Sequence, residues 1–334
     1  MYKIIVTGGA GYIGSHTVVE LYNSGFEPII IDNLCNSSIK NIHGIEEIIN
    51  KKITLHKIDC TKKNFIKDIL NDKNIIGVIH FAAFKSVEES VLNPEKYYKN
   101  NIDSLKVILE LMEEINLNNI IFSSSCTVYG QPSKLPVKES SPFKKAESPY
   151  GETKQICEKI LKEKNLNSIC LRYFNPIGSH KSSLIGDCSN DKPSNLVPII
   201  TEVAIGKRKS MKIFGNNYNT HDGTCIRDYI HVVDLAKAHV KSLQYLLKKP
   251  GKHVFNVGTG KGISVLELIK SFEKKNKLSI NYQIGERRAG DIEQIYSDNS
   301  LISKLIGWEA KESIEQALLD AWNWEKSKNN EKKS

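Results

Sequence analysis

Two rhythms of apolar and polar positions alternate through the first half of the chain. Short runs rich in β-branched residues, at 3–7, 28–31, 53–58, 77–83 and 119–124, predict buried strands. Between them, apolar residues recur at helical spacing over 15–25, 63–70 and 94–115. The last of these carries Ile102, Leu105, Ile108, Leu109 and Met112 along one face. A further helix is expected to start at Ser148-Pro149, where proline suits the first turn. Polar segments at 33–41 and 131–145 read as loops. Strand and helix in turn predict a parallel sheet covered by helices on both faces. From about Arg172 the connections lengthen and fill with Gly, Asn and Ser, at 178–195 and 215–223. The expected organisation is a first domain over 1–172 and a smaller α+β substrate domain over 173–326, in which elements of the first kind recur. A polar, Lys-rich tail at 327–334 is expected to be disordered.

The first strand-to-helix turn carries the most chemical information. Residues 3–7 run into Gly8-Gly-Ala-Gly11-Tyr-Ile-Gly14, then a helix, a second strand and Asp32. Gly8 permits a tight turn, Gly11 lets the backbone approach a ligand, and Gly14 lets helix and strand pack closely. The helix N-terminus then presents N–H groups and a positive dipole end to a pyrophosphate. Asp32 is placed to accept hydrogen bonds from both hydroxyls of an adenosine ribose, which favours NAD over NADP. This order predicts a Rossmann-type, doubly wound α/β sheet. Ligands in such sheets bind beyond the carboxyl ends of the strands, so Asp59, Phe81, Ala82, Ala83 and the run Ser123-Ser124-Ser125 point at one crevice.

Composition narrows the partners. The 334 residues can bury a sizeable core, and their formal charge of +9 raises the question of nucleic acid. The lysines, however, fall as scattered pairs (Lys51-Lys52, Lys62-Lys63, Lys248-Lys249, Lys274-Lys275) with no basic block interleaved with aromatics. They read as solvated helix faces whose mild positive field helps draw in an anionic nucleotide, and no nucleic-acid partner is expected. The seven cysteines (Cys35, Cys60, Cys126, Cys157, Cys170, Cys188 and Cys225) form no C-x-x-C pair and are odd in number. That pattern predicts reduced thiols in a cytoplasmic protein, with neither a disulfide framework nor a metal site. The chain enters its first strand within two residues, which leaves no room for a signal peptide. The longest apolar run, 75–84, is interrupted by His80 and falls short of a membrane span.

Candidate chemistry centres on Tyr150 and Lys154, four apart at the start of a helix and hence on one face. A phenol with a pKa near ~10 is a poor base at neutral pH. An ammonium beside it, with the positive charge of an oxidised nicotinamide, favours phenolate and lowers that pKa. Tyrosine then becomes an acceptor for an alcohol proton while hydride leaves for the cofactor. Ser125 is placed to hydrogen-bond the same substrate oxygen. No G-x-S-x-G elbow surrounds it, which argues against hydrolysis.

Gly8-x-x-Gly11-x-x-Gly14, Asp32-Asn33, Ser125-Cys-Thr-Val-Tyr129-Gly and Tyr150-Gly-Glu-Thr-Lys154 resemble the extended short-chain dehydrogenase/reductase superfamily. Longer blocks narrow the resemblance. They are His80-Phe-Ala-Ala-Phe-Lys85, Tyr97-Tyr-Lys-Asn100-Asn, Leu171-Arg-Tyr-Phe-Asn175-Pro-Ile-Gly, Asn195-Leu-Val-Pro, Asp222-Gly-Thr-Cys-Ile-Arg227-Asp-Tyr-Ile-His-Val and Arg287-Arg-Ala-Gly-Asp291. Together, from residue 1 to about 325, they resemble the UDP-glucose 4-epimerase family.

The resemblance implies an isomerase that interconverts UDP-glucose and UDP-galactose with no net redox change. Tyr150 would take the 4-hydroxyl proton while the C4 hydride passes to tightly held NAD, and the 4-keto sugar would turn before both return. On the cofactor side it implies Tyr12 and Ile13 with the glycines, and Asn33, Asn36 and Ser37 beside Asp32. Asp59 would contact adenine, with Cys60 beside it. Phe81, Ala82, Ala83, Lys85, Asn100, Ser123 and Phe174 would line the rest, with Tyr150 and Lys154. On the substrate side, Asn175, Asn195, Arg227 and Arg288 would hold the uridine diphosphate, since guanidinium forks suit a diphosphate. Asp291 would reach the ribose, and Leu196, Lys212, Ile213 and Phe214 would complete that wall. Lys85, Ser125, Tyr150 and Ile295 would face the sugar.

Several of these residues also have plainer readings: Arg227 beside Asp228 as a surface ion pair, Asn195 as a helix cap. Related dehydratases and decarboxylases carry an acid between the serine and Val-Tyr-Gly; Cys126-Thr127 stands there instead, which disfavours elimination. At the position of Ile295 the resemblance associates bulk with the non-acetylated sugars and a small residue with N-acetylated ones; branched bulk leans towards the former. A homodimer is implied through the helices flanking Tyr150 and Lys154. A net reductase on a nucleotide sugar, another nucleotide-sugar epimerase and a non-catalytic dinucleotide-binding protein are the competing readings.

Overall fold

The structure is a computed structural model and describes residues 1–70, 72–189, 193–288 and 291–331. Residues 289–290 of the Arg287–Asp291 block, 190–192 of the expected loop and the last three residues of the expected tail lie outside the described residues.

The chain first lays down β1 (Lys3–Thr7), α1 (Tyr12–Asn23), β2 (Glu27–Ile31), α2 (Ile39–Ile49) and β3 (Thr54–His56). It continues with α3 (Lys63–Leu70), β4 (Ile75–His80), α4 (Val87–Leu92), α5 (Pro94–Glu114) and β5 (Asn119–Ser123). After a 3-10 turn at Cys126–Tyr129 come α6 (Pro149–Glu163), β6 (Asn167–Tyr173) and β7 (Asn175–Ile177). The remainder comprises α7 (Leu196–Ala204), β8 (Met211–Phe214), β9 (Ile226–His231), α8 (Val232–Lys248) and β10 (Lys252–Val257). It closes with β11 (Gly262–Ser264), α9 (Val265–Asn276), β12 (Tyr282–Gly285), β13 (Gln294–Ile295), α10 (Ser300–Ile306) and α11 (Ile314–Glu331).

Seven strands pair in the order β10-β6-β5-β4-β1-β2-β3, every pair parallel. The order turns at β1, with β2 and β3 to one side and β4 to the other, so a crevice opens at the carboxyl ends of β1 and β4. Both faces of this sheet are covered, which is why its strands read as near-continuous apolar runs. Ile4 and Val6 of β1 face a core shared with Val18 of α1, Ile45 of α2 and Leu235 and Leu243 of α8. Ile5 faces the opposite core with Leu105, Ile108 and Met112 of α5 and Leu161 of α6. Each fully enclosed isoleucine of this kind contributes about 2 kcal/mol. A separate core forms where Val197 and Ile200 of α7, Leu268 and Phe272 of α9 and Leu318 of α11 pack with Tyr229 of β9. There β9 pairs with β7, β11 and β13, and β12 pairs with β8.

The doubly wound α/β expectation holds, and three details differ from it. Helix α1 starts at Tyr12, three residues earlier than the apolar spacing predicts, because Gly11 serves as its N-cap. Helix α2 begins within the expected polar loop: Ser38 caps it by accepting from Lys40 N, and Ile42, Ile45 and Ile49 form its buried stripe. Finally, α11 runs through the beginning of the expected disordered tail, to Glu331. Lys328 pairs with Glu325 at 2.7 Å and lies 5.8 Å from the Trp324 ring centroid, so the helix keeps partners past Ser327.

Candidate active site

The glycine turn closes between β1 and α1. Gly8 has φ +70°, and a Cβ there would sit 2.8 Å from Ala82 N; only glycine accepts both conditions. A Cβ on Gly14 would lie 2.3 Å from Gly8 O, which forbids any side chain at this crossing. One on Gly11 would meet Gly8 O at 3.1 Å and no other atom within 4 Å, so it points into open space. Helix α1 has no side-chain cap and no carboxylate in its first turn. The N–H groups of Tyr12, Ile13 and Gly14 precede its first hydrogen bond, Ser15 N to Gly11 O at 2.9 Å. An uncapped helix end facing a space that a side chain would fill fits a pyrophosphate.

Around this turn the other expected cofactor residues assemble. The Asp32 carboxylate accepts from Ala10 N at 3.0 Å, Leu34 N at 2.9 Å and Ser37 Oγ at 2.8 Å. Two oxygens with about four acceptor sites retain room for a ribose hydroxyl. Burial would raise the Asp59 carboxyl, but hydrogen bonds from the Thr61 N–H and hydroxyl and from Asn33 outweigh it and hold it below its ordinary value. Cys60 is buried beside it, its thiol pushed up by desolvation. Asn36 sits half-buried in the β2–α2 connection. Phe81 leaves β4 packed against His239, with ring centroids 4.7 Å apart. Asn100 donates to Asn101 Oδ1 at 3.0 Å, and buried Asn101 in turn holds Phe84 by its N–H and C=O. Phe174 is buried at the exit of β6. Lys85 instead reaches across to Asp187, at 3.2 Å.

Tyr150 and Lys154 occupy the first turns of α6, which Pro149 opens and Ser148 caps by accepting from Gly151 N at 3.2 Å. Lys154 Nζ donates to Ser123 O at 2.7 Å and lies 5.8 Å from the Tyr150 ring centroid. Both side chains are buried. The expectation of a lowered phenol joined the ammonium to the charge of an oxidised nicotinamide, and in the protein alone the phenol stands high. Burial pushes Tyr150 far above the ordinary phenol value and Tyr173 adds to this, with the Ser125 hydroxyl pulling only partly back. Burial also brings the Lys154 ammonium down to about 8. The ammonium by itself does not make a phenolate; a further positive charge is needed at the site. Ser125 caps the 3-10 turn by accepting from Thr127 N at 3.2 Å, which leaves its hydroxyl proton to donate.

Behind this pair, Ser124 donates to Glu158, four residues beyond Lys154. Glu158 is held by Arg172 of β6 through Nε at 3.0 Å and Nη2 at 2.7 Å. Arg172 also donates to Tyr129 Oη at 3.0 Å and to Glu139 O at 3.1 Å. It lies between the Tyr129 and Phe143 rings, 5.0 and 4.9 Å from their centroids. This buried network ties α6 to the sheet.

On the other side of the crevice lies an open cleft with a cavity volume of about 190 Å³. It brings together Asn175, Asn195, Leu196, Lys212, Ile213, Phe214, Arg227, Arg288 and Asp291, all expected from the sequence. Asn195 is the N-cap residue of α7 but makes no side-chain cap hydrogen bond, so its amide is available to the cleft. Arg227 does not spend its charge on Asp228, which is fully buried and accepts from Thr259 N and Oγ1, Gly260 N, and Ser297 N and Oγ. It faces Asp291 instead, at 3.7 Å. Arg288 stacks over Phe214, 4.3 Å from its centroid. Ile295 is not in this cleft. It pairs in register with Arg227 and packs with Val128, Tyr129, Val137 and Phe174, beside Cys126. The sequence reading missed Ser194, Ile199, Met211, Thr224, Cys225, Tyr229 and Val265, which also line the cleft. Tyr229 was within reach, because period-two alternation puts it on the same strand face as Arg227. Among the described residues no group of three or more His, Cys, Asp or Glu could hold a metal ion, and no helix is long and apolar enough to cross a membrane.

Known proteins share this frame. The sequence model of the family described as GDP-mannose 4,6 dehydratase matches residues 5–320. A UDP-glucose 4-epimerase from Haemophilus influenzae is 47% identical over 329 residues, 97% of each chain. The crystal structure of UDP-glucose 4-epimerase from Bifidobacterium longum, in complex with NAD+ and UDP, superposes with a TM-score of 0.94 at 42% identity. That match covers 98% of this chain and 99% of the other. The UDP-glucose-4-epimerase from Stenotrophomonas maltophila, with bound NAD and formylated UDP-arabinopyranose, gives a TM-score of 0.96 at 39% identity, covering 99% and 100%. Likeness of this extent, running through the glycine turn, α6 and the arginine-lined cleft alike, places the chain in the family described as GDP-mannose 4,6 dehydratase and, within it, among the UDP-glucose 4-epimerases.

Proposed function

We propose that this chain interconverts UDP-glucose and UDP-galactose by inverting C4 of the hexose, through a 4-keto sugar and with NAD retained on the protein. The observation that carries the reading is the burial of Tyr150, Lys154 and Ser125 side by side, with Lys154 held on Ser123 O at the carboxyl end of β5. NAD, when bound, supplies a reversible two-electron acceptor at the sugar's C4 and a positive charge near Tyr150. The residues of the chain do the rest. Tyr150 accepts the proton of the 4-hydroxyl and later returns it; Ser125 donates to the same oxygen and keeps it in line. Lys154 favours the phenolate and is itself aimed by Ser123 O. Arg227, Arg288, Asn175 and Asn195 grip the diphosphate end, so the keto sugar stays tethered while it turns. Asp32, Asp59 and the α1 N-terminus hold the dinucleotide.

Formation of UDP-galactose from UDP-glucose without added NAD tests this reading. Turnover is expected, and Tyr150→Phe is expected to lose it by at least roughly 100-fold. No product from the native chain, or a Tyr150→Phe variant as active as the native, would end the proposal. Ile295 keeps its branched bulk buried against Val128 and Phe174, beside Cys126, and we infer from that bulk that the non-acetylated sugars are the preferred pair. Turnover of UDP-N-acetylglucosamine at a comparable kcat/KM would contradict that. We also propose a cytoplasmic location from the cysteine pattern, seven in number and without a C-x-x-C pair. We propose a homodimer through α5 and α6. Val91 and Leu92, 60% and 73% exposed on the adjoining α4, give that face an apolar margin.

A further inference from the structure

The segment at 178–188 leaves β7 and lies against the glycine turn, fastened there at more points than a surface connection needs. Tyr12 Oη donates to Gly178 O at 2.6 Å. Lys85 pairs with Asp187 and sits 5.8 Å from the Tyr12 ring centroid. The central join is Asn41 of α2, which is fully buried. Its Nδ2 donates to Ala10 O at 3.0 Å and to Gly186 O at 3.1 Å, and its Oδ1 accepts from Gly186 N at 3.3 Å. Packing leaves no slack around it. A Cβ on Gly44 would lie 2.2 Å from Leu184 O, and one on Gly186 would lie 2.6 Å from the Trp324 ring. Trp324 Nε1 closes the far end by donating to Asp187 O at 3.3 Å.

One amide thus engages both the N–H and the C=O of Gly186 while holding the carbonyl of Ala10, inside the Gly8–Gly11 turn. Ile185 of the strap is itself buried in the core with Ile42 and Ile45, and beside that apolar anchor the Asn41 join connects the strap to the backbone that faces a pyrophosphate. In a reaction that returns its cofactor to the starting state each cycle, no exchange is needed, and slow release carries no penalty in turnover. The geometry points to Asn41 as a positioning residue that latches the strap at 178–188 over the glycine turn and so retains the dinucleotide between turnovers. The inference rests on the NAD-dependent reading above and assigns its retention to a named side chain.

The test measures NAD per chain in native and Asn41→Ala protein during dialysis, beside thermal melts of both. Native protein is expected to keep its NAD. Asn41→Ala is expected to release it at least roughly tenfold faster, since two or more hydrogen bonds are lost, and activity lost on dialysis should return on adding NAD. A variant that melts earlier but releases NAD at the native rate would show a merely structural asparagine and overturn the latch. Should Asn41→Ala fail to fold, Trp324→Phe removes the donor to Asp187 O together with part of the ring packed on Gly186. It is expected to speed release by about a few-fold, and unchanged release there would overturn the latch equally. A native chain that takes up no NAD would overturn the reading beneath it instead.

Discussion

Lys154 is enclosed to 4% exposure at the start of α6, where burial lowers its ammonium to about 8. Below that pH the fold carries a charge it would sooner shed, and the strain is relieved as pH rises from about 8 towards the unfolded value of 10.5. Lys154→Met is therefore expected to stabilise the chain at pH 7 by about 1–3 kcal/mol while turnover falls at least roughly 100-fold. Urea unfolding beside an epimerase assay would read both, and a destabilised variant would contradict the account. The identities of Tyr150, Lys154 and Asp32 were legible because each sits in a block whose spacing has a chemical reason, whereas Arg227 was legible only through the family resemblance. Their electrostatics were not, since burial is a property of the assembled fold: the adjacent lysine is visible in the sequence, the desolvation that outweighs it is not. The same holds for Arg227 and Asp228, adjacent in the chain yet turned to opposite tasks.

Helix α6 has to present Tyr150 and Lys154 at a fixed depth, and the Glu158–Arg172 pair fixes it from behind. Both partners are buried, at 7% and 5% exposure, and linked by two or more short hydrogen bonds. Arg172→Met would leave Glu158 charged, buried and paired only with Ser124. A loss of about 3–5 kcal/mol is expected in chemical denaturation, whereas the double variant Glu158→Leu with Arg172→Met should recover much of it. No recovery would show that the pair does more than compensate itself. At this scale strands were the easiest elements to read, because a sheet buried on both faces makes each a nearly unbroken apolar run. Helix α2 was hidden by its own start: Ser38 and Lys40 look like loop residues until Ile42, Ile45 and Ile49 are seen on one side. The end of α11 misled in the same way, its polar composition masking the side-chain partners that Trp324 and Glu325 provide.

Across the whole molecule, three histidines are buried and kept neutral: desolvation lowers His16 and His80 to about 3 and His239 to about 4. The unfolded chain would protonate each below about 6.5, so it binds more protons than the fold. Stability is therefore full above that pH and is lost as pH falls towards the folded values. Well below 6.5 each contributes a slope of about 1.4 kcal/mol per pH unit. Replacing His239 with leucine should flatten the pH dependence of unfolding by that amount between roughly pH 6 and 4. An unchanged slope would show that another group governs acid unfolding. The alternating architecture of the first half was legible, but the strand that completes its sheet lies far downstream. Because β10 pairs with β6 from residues 252–257, a nascent chain on the ribosome must hold the β6 edge open while roughly eighty intervening residues are synthesised. A fragment cut at residue 172 would carry that edge permanently unpaired, a template for adhesion to its own copies, so the two halves are best regarded as co-dependent in biogenesis.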